Sequence, residues 1–368
     1  MDFTLDPATE ELRARVRAHV SARLIPLEAD PSTWGEGENI REERLAELRA
    51  EARAIGLWAP QTPRADGGMG LSRVAMAAMY EEAGRCRFGP AVFNCAAPDD
   101  GNMMLLAKVG TPAQKARWLA PIVSGAVRSS FVMTEPHPGG GSDPSMMLTR
   151  AERVAGGWRL HGRKWFITGA EGAAHFIAFH ASQPGWRILR RIPIMGPEEH
   201  GGHCELEFDG LHVADDDVLM NVGDGLKATQ IRLGPARLTH CMRWLGMAKR
   251  AIEECLGYVR ERRSFGTTLD AHEGVQWLLG EAAMEIEIGR LLTMRAAARL
   301  DAGDFARKEI SMAKIAVADV LHKAIDTSIQ LLGARGYSRD TPLEWMYRYA
   351  RQARLVDGAS EVHKMVLA

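Results

Sequence analysis

The apolar positions of this chain change period twice. From the N-terminus to about residue 125 they recur at helical spacing. Leu12, Val16, Val20 and Leu24 stand four apart behind Asp6-Pro7, with the proline at a first-turn position. Glycine-rich breaks at 56–60 and 66–70 interrupt the pattern. Ser72 then reads as the N-cap of a helix carrying Val74 to Ala83. Thr111-Pro112 opens another helix that runs to Gly125, with Lys115 and Arg117 on a solvated face. Between residues 127 and 222 the period falls to two, in runs beginning at Trp158 and Trp186 and in the run from Cys204 to Val213. Gly156-Gly157 reads as the hairpin turn ahead of one of them. Beyond Gly223 helical spacing returns, first as Val275, Leu278, Ala282, Ile286 and Leu292, then as Ile310, Ala313, Val317, Val320, Ala324, Ser328 and Leu331. Long amphipathic helices in succession predict an antiparallel bundle. The fold class expected is α+β multidomain: an N-terminal α-helical domain over 1–126, a small β-barrel or sheet domain over 127–222, and a C-terminal four-helix bundle over 223–368.

Composition narrows the function without choosing it. A chain of 368 residues can bury large cores. Its 46 Lys and Arg against 47 Asp and Glu leave a net charge of −1, which argues against nucleic acid or a membrane surface as partner. Five widely spaced cysteines form no CxxC pair and predict free thiols in a reduced compartment. No basic and apolar leader opens the chain, and no apolar run is long enough to span a bilayer, so a cytoplasmic location is expected, or an organelle matrix if a presequence has been removed. Glu198, His200, His203 and Cys204 fit no common zinc spacing, so no metal is expected. Asp215 to Asp217 read as a solvated loop. Neither a Walker A motif nor a Rossmann glycine fingerprint in strand–helix context occurs.

Five stretches carry candidate chemistry. Phe131 to Pro136 reads as an apolar strand ending in Thr134 and a turn with Gly139, Gly140 and Gly141, where backbone can lie close to a ligand or take φ > 0. Trp165-Phe166-Ile167-Thr168 reads as a strand with an aromatic ring beside a hydroxyl. The pair suits a flat heteroaromatic cofactor; it equally suits two core strands joined by a glycine-rich turn. Arg260 to Gly266 offers arginine forks for phosphate, or a helix C-terminus with favourable dipole charges. Gln330 to Tyr337 is a helix end with glycine at C-cap spacing. Asp357-Gly358 is a plain turn, the N-cap of a last helix, or a placed carboxylate.

Taken together, these stretches resemble the flavin-contacting and catalytic segments of the acyl-CoA dehydrogenase family, in type and in order, over nearly the whole chain. The resemblance implies FAD as cofactor, with Phe131, Met133, Thr134, Gly141, Ser142, Phe166, Ile167 and Thr168 on the flavin side. Arg262, Ser264, His272, Gln276, Gln330, Gly333, Ala334, Ala359 and Glu361 are the other cofactor positions, Arg262 and Ser264 reaching the FAD of a neighbouring subunit. It implies an acyl-CoA substrate contacted by Ser142, Arg237 and Gly358, with Asp357 removing the α proton. It also implies a homodimer or homotetramer and electron transfer to an electron-transfer flavoprotein. Ala97 to Met103 together with Asp357-Gly358 is similar to a branch associated with long, branched or hydroxylated acyl-CoA.

Departures from the family pattern are visible. Most relatives carry glutamate where Asp357 stands, and a bundle-helix base used by others is replaced by Ala236. Glu273 and Ala359 replace a glutamine and a threonine that often contact flavin. His137-Pro138 lengthens the turn after Pro136. The stretch after Ser182 is short, and the chain stops at Ala368 where relatives continue with an arginine. These leave two alternatives: a flavin oxidase similar to nitroalkane-oxidising relatives, and a non-catalytic partner subunit of the same fold.

Overall fold

The computed structural model describes residues 4–177 and 179–368. By its internal contacts the chain forms two compact units. One is built from Met1–Trp34, Leu71–Val92 and Arg237–Ala368; the other from Gly35–Gly70 and Phe93–Ala236. The division falls inside the long helix Gly225–Glu261.

The first unit is helical. Its first helix, Pro7–His19, starts where expected: the Asp6 carboxylate accepts the Thr9 N–H at 3.0 Å, and proline occupies the first turn. Leu12, Val16, Val20 and Leu24 are all buried. Ser72 caps Arg73–Ala83 by accepting the Ala75 N–H. That helix runs against Gly225–Glu261 at backbone contact. A Cβ on Gly84 would lie 2.2 Å from the Arg243 carbonyl oxygen, and one on Gly246 1.9 Å from that of Glu81. Only glycine allows so close an approach. The helices Glu273–Asp301 and Arg307–Leu332 pack along Ala282, Ile286, Gly289, Ala313, Val317 and Leu321. Leu278, expected inside, is exposed: it lies in the first turns of Glu273–Asp301, where residues 273–281 are all exposed or half-buried.

The second unit holds the sheets. Four strands lie in the order β2 (Arg150–Val154), β3 (Gly157–Thr168), β7 (His203–Ala214) and β6 (Trp186–Arg191), antiparallel throughout. A smaller sheet joins β1 (Ser129–Ser130), β4 (His175–Phe176) and β5 (Phe179–His180). The core between them contains Ile167, Phe176, Phe179, Leu206, Phe208 and Leu211. The edge strand β6 points Arg187 and Arg190 at Glu207 and Glu205 of β7, so charge lines that edge. After Ser182 the chain closes tightly, with the Gln183 N–H on the His180 carbonyl.

Three expectations are corrected. Phe131 to Thr134 is not strand; the ladder ends at Ser130, and the Lys164 side chain, the Thr134 hydroxyl and a backbone bond from Trp165 hold the segment instead. Gly139, Gly140 and Gly141 do not take positive φ. Gly139 and Gly140 are needed for room, since Cβ atoms there would come within 2.5 Å of Glu135 Oε2 and 2.9 Å of the Asp143 carbonyl oxygen. Asp217 is buried, not solvated, and Arg117 meets it at 2.7 Å. Burial raises the Asp217 pKa while the guanidinium lowers it. Lys115 likewise meets Asp66 at 3.5 Å. Composition could not separate these ions from their solvated neighbours, because only packing pairs them.

Candidate active site

Within the sheet-bearing unit, the Phe131–Ser142 segment is fastened to β3 by a buried ion pair. Lys164 Nζ donates to Glu135 Oε1 at 2.8 Å and to the Met133 carbonyl at 2.9 Å. The Glu135 carboxylate also accepts the N–H groups of Leu148 and Thr149, at 2.6 and 3.0 Å. Burial pushes the Glu135 pKa up, but these donors and the lysine outweigh it and hold it at about 2. Burial lowers the Lys164 pKa, against the pull of Glu135. Thr134 and Trp165 are tied twice, the Trp165 N–H to the Thr134 carbonyl and the Thr134 hydroxyl to the Trp165 carbonyl.

Opposite Glu205 the register of β3 slips, so Trp165 and Phe166 together face one residue of β7. Phe166 sits in this bulge at φ 50° and is 45% exposed, its ring 5.0 Å from that of Trp165. A half-exposed phenylalanine held in left-handed backbone is a strained placement, of the kind found at binding sites. Ile167 is core, and the Thr168 carbonyl accepts the Ser130 hydroxyl at 2.9 Å. Thus Met133, Thr134, Phe166 and Thr168 come together. Gly141 and Ser142 lie beyond on an exposed turn, and a Cβ on Gly141 would touch nothing within 4 Å.

Phe131 is supported from the stretch Ala97 to Met103. Arg232 lies over the Phe131 ring at 4.1 Å and donates to Asn102 at 3.1 Å. Asn102 in turn donates to Ser129, whose hydroxyl donates to Asp99.

The helical unit holds Asp357. It lies between the turn Arg351–Arg354 and the helix Ser360–Leu367. The N-cap reading fails: Ala359 occupies that position, without a side-chain bond. Asp357 and Gly358 both take positive φ, 53° and 98°. A Cβ on Gly358 would press on His363 Nε2 at 3.3 Å. Arg237, Lys314 and His240 meet the loop. Arg237 Nε donates to the Asp357 carbonyl at 2.7 Å. The buried Lys314 donates to the carbonyls of Ala353 and Gly358, at 2.6 and 3.2 Å. Burial lowers its pKa, helped by Arg237 and opposed by Cys241 and Asp357. The Asp357 carboxylate comes within 3.3 Å of His240 Nε2. Beneath the loop His363, bonded to Ser311, is pushed down to about 4 by burial, then by the charges of Arg237 and Lys314.

The other positions form two groups in this unit. Ser264 belongs to a hairpin of β8 (Arg263–Ser264) and β9 (Thr267–Thr268), which Arg262 directly precedes and whose turn residues Phe265 and Gly266 both have positive φ. His272 Nε2 lies 3.2 Å from the Ser264 carbonyl, and Gln276 donates to Asp270. Gln330, Gly333 and Ala334 stand where the helix Arg307–Leu332 ends, with Gly333 at φ 60°. Ala359 and Glu361 open the last helix. The Glu198–Cys204 stretch is held by other contacts, Glu198 to Arg191 and His200 to the Ile40 carbonyl. No group able to hold a metal ion occurs among the described residues.

Sequence reading missed His240, Arg243, Lys314, His363 and the Glu135–Lys164 pair. A signal for the first existed: Arg237, His240 and Trp244 repeat at helical steps on one face.

The chain thus has helical parts flanking a small sheet part, with a fixed carboxylate loop in one unit and an aromatic bulge in the other. Three family descriptions match the chain: the acyl-CoA dehydrogenase N-terminal domain over residues 6–126, its middle domain over 130–191 and its C-terminal domain over 223–368. "Probable acyl-CoA dehydrogenase FadE2" of Mycobacterium tuberculosis is 33% identical over 395 residues, covering 100% of this chain and 96% of that protein. "Acyl-CoA dehydrogenase family member 11" of Gallus gallus is 34% identical over 390 residues, 98% of this chain and 50% of that protein. The chain thus spans about half the length of several curated relatives it matches. "Structure of a putative acyl-CoA dehydrogenase from Mycobacterium abscessus" superposes with a TM-score of 0.89 at 33% identity, covering 99% of this chain and 98% of that one. A glutaryl-coenzyme A dehydrogenase in complex with glutaryl-CoA superposes at 0.87 with 25% identity, covering 100% and 95%. The chain belongs to the acyl-CoA dehydrogenase family, a class of FAD-dependent enzymes.

Proposed function

We propose that this chain oxidises an acyl-CoA thioester between its α and β carbons, with Asp357 as the base. The observation that carries the reading is the Asp357 loop. A carboxylate is held in left-handed backbone, its carbonyl bonded by Arg237 and that of the next residue by Lys314, on a residue that caps no helix. A base that must meet one proton needs such fixing.

FAD, when bound, supplies the acceptor for the β hydrogen. The residues fit a flat heteroaromatic group: the Phe166 bulge offers an exposed ring, and the uncrowded Gly141 turn offers open backbone. Phe131, Met133, Thr134, Ser142, Ile167 and Thr168 would hold its ring. Arg262, Ser264, His272, Gln276, Gln330, Gly333, Ala334, Ala359 and Glu361 would hold the rest of it. Asp357 takes the α proton onto its carboxylate, and its own N–H would donate to the thioester oxygen as charge grows there. Arg237, Ser142 and Gly358 would contact substrate. Asp357 is one carbon–carbon bond, about 1.5 Å, shorter than glutamate, so the loop must bring its main chain nearer to substrate.

The reading extends to a long, branched or hydroxylated acyl group, to an electron-transfer flavoprotein as acceptor, and to a homodimer or homotetramer. Supporting the last, Trp277, Met284, Ile288 and Leu291 are exposed on the helix Glu273–Asp301, and Phe265 is exposed in the hairpin beside it. The test is anaerobic bleaching of the purified flavoprotein by butyryl-, octanoyl-, palmitoyl-, isobutyryl- and hydroxyacyl-CoA. The parent is expected to bleach with at least one of them, and Asp357→Asn to keep its flavin and lose bleaching by ~10³-fold or more. Undiminished bleaching in that variant removes Asp357 from the mechanism.

A further inference from the structure

His240 lies on the face of the helix Gly225–Glu261 that carries Arg237, and it is nearly buried, with 12% of its side chain exposed. Three contacts define its ring. It stacks on Trp244, centroids 5.0 Å apart and planes 26° apart. Arg243 Nη2 approaches its Nδ1 at 3.2 Å. Its Nε2 stands 3.3 Å from Asp357 Oδ2, close enough for a hydrogen bond that is not fully formed. Guanidinium nitrogen only donates, so Nδ1 must accept. A neutral imidazole that accepts at Nδ1 carries its proton on Nε2, the atom turned to the carboxylate.

We propose that His240 is a positioning residue for the Asp357 base: its Nε2–H donates to the Asp357 carboxylate, fixing the side chain's direction and favouring its ionised form. The inference rests on Asp357 being the base. Arg243, itself buried and lying over the Tyr80 ring, sets the tautomer from behind; Trp244 sets the ring plane. The contact's looseness suits a base that moves onto its proton when substrate arrives, since such bonds tighten in the complex. With Nε2 already protonated, His240 does not take the substrate proton; that proton stays on Asp357 until product leaves.

The charged and titratable groups around the pair come from three helices. Arg237, Cys241 and Arg243 lie on Gly225–Glu261, Lys314 on Arg307–Leu332, and Glu361 and His363 on Ser360–Leu367. Burial and the nearby cations hold His363 at about 4, so it is neutral across the working range. Burial pushes Cys241 up to about 12, so it stays a thiol. Arg237 and Lys314 are left in place in every variant below, which leaves the donor on Asp357 as the thing changed.

Two measurements on the FAD-loaded protein test this. Imidazole ¹⁵N NMR near neutral pH is expected to show His240 protonated on Nε2 and bare on Nδ1; the opposite tautomer overturns the proposal whether or not the protein turns over. The second is the pH profile of anaerobic bleaching, with whichever of butyryl-, octanoyl-, palmitoyl- or isobutyryl-CoA bleaches the parent fastest. Loss of a donor to a carboxylate raises its pKa, so in His240→Phe, which keeps a ring to stack on Trp244, the acid limb should move up by about one pH unit. The rate below that limb should fall ~10-fold. His240→Gln, which retains an N–H donor, should recover most of the shift. An unmoved acid limb in His240→Phe, with Asp357→Asn inert, overturns this proposal alone. Full-rate bleaching by Asp357→Asn overturns the base assignment itself.

Discussion

Glu135 and Lys164 illustrate how one residue pair secures a whole surface. Their side chains are 2% and 7% exposed, and the carboxylate meets three donors. The pair holds the Met133–Thr134 segment to β3 without strand pairing. Removing one member of a buried pair typically costs about 3–5 kcal/mol, because the other charge is left uncompensated. Glu135→Gln is therefore expected to lower stability to urea at neutral pH by roughly that amount. The sign with pH follows from the depressed carboxyl. Its contribution is full above the ordinary value of 4.5 and is lost as pH falls toward the folded value of about 2. Urea titrations from pH 6 down to pH 2 should find the parent and Glu135→Gln converging across that window; a constant gap would remove Glu135 as its source.

At the scale of elements, the decisive contact in the helical unit is the approach of Arg73–Ala83 to Gly225–Glu261. Gly246 lets the Glu81 carbonyl reach the helix surface, and Gly84 does the same for that of Arg243. The same helix then presents Arg237 and His240 to the Asp357 loop. Gly246→Ala puts a methyl where backbone already stands, so the helices must part. Overpacking of this kind costs typically about 1–3 kcal/mol. A fall in the denaturant midpoint of that order, with the slope unchanged, is expected for Gly246→Ala. Glycine at an interior helix position already costs up to about 1 kcal/mol against alanine. A stabilised variant would therefore show that the approach is not required.

For the molecule as a whole, near-neutral net charge and an exposed apolar helix face point the same way. Trp277, Met284 and Ile288 are 64%, 58% and 48% exposed on one helix, a face that a lone chain in water would not favour. Ile288→Glu is expected to reduce the mass measured by light scattering from that of an oligomer toward that of one chain. If Arg262 and Ser264 serve a neighbour's cofactor, retained FAD should fall with it. An unchanged mass would leave that face without a partner copy. All five cysteines are free and buried, and burial pushes Cys255 up to about 11 and Cys241 to about 12, so thiol reagents should be slow until unfolding.

What the chain's order of residues determined alone was local. The cap at Asp6, the cap at Ser72, the hairpin entering β3 and the spacing of Val16 or Val317 follow from backbone donors needing partners and apolar faces needing cover, and both are written in neighbouring residues. The likeness carried by Thr134, Thr168 and Asp357-Gly358 belongs to the same register, because motif residues are near one another in sequence. Tertiary structure alone decided which charges are buried and with whom. Asp217 found Arg117, Glu135 found Lys164, and His240 found Asp357 across 117 positions of chain. Ionisable side chains look alike in a sequence whether water or protein surrounds them. Desolvation, which sets their pairing and their acidity, exists only once distant segments have packed.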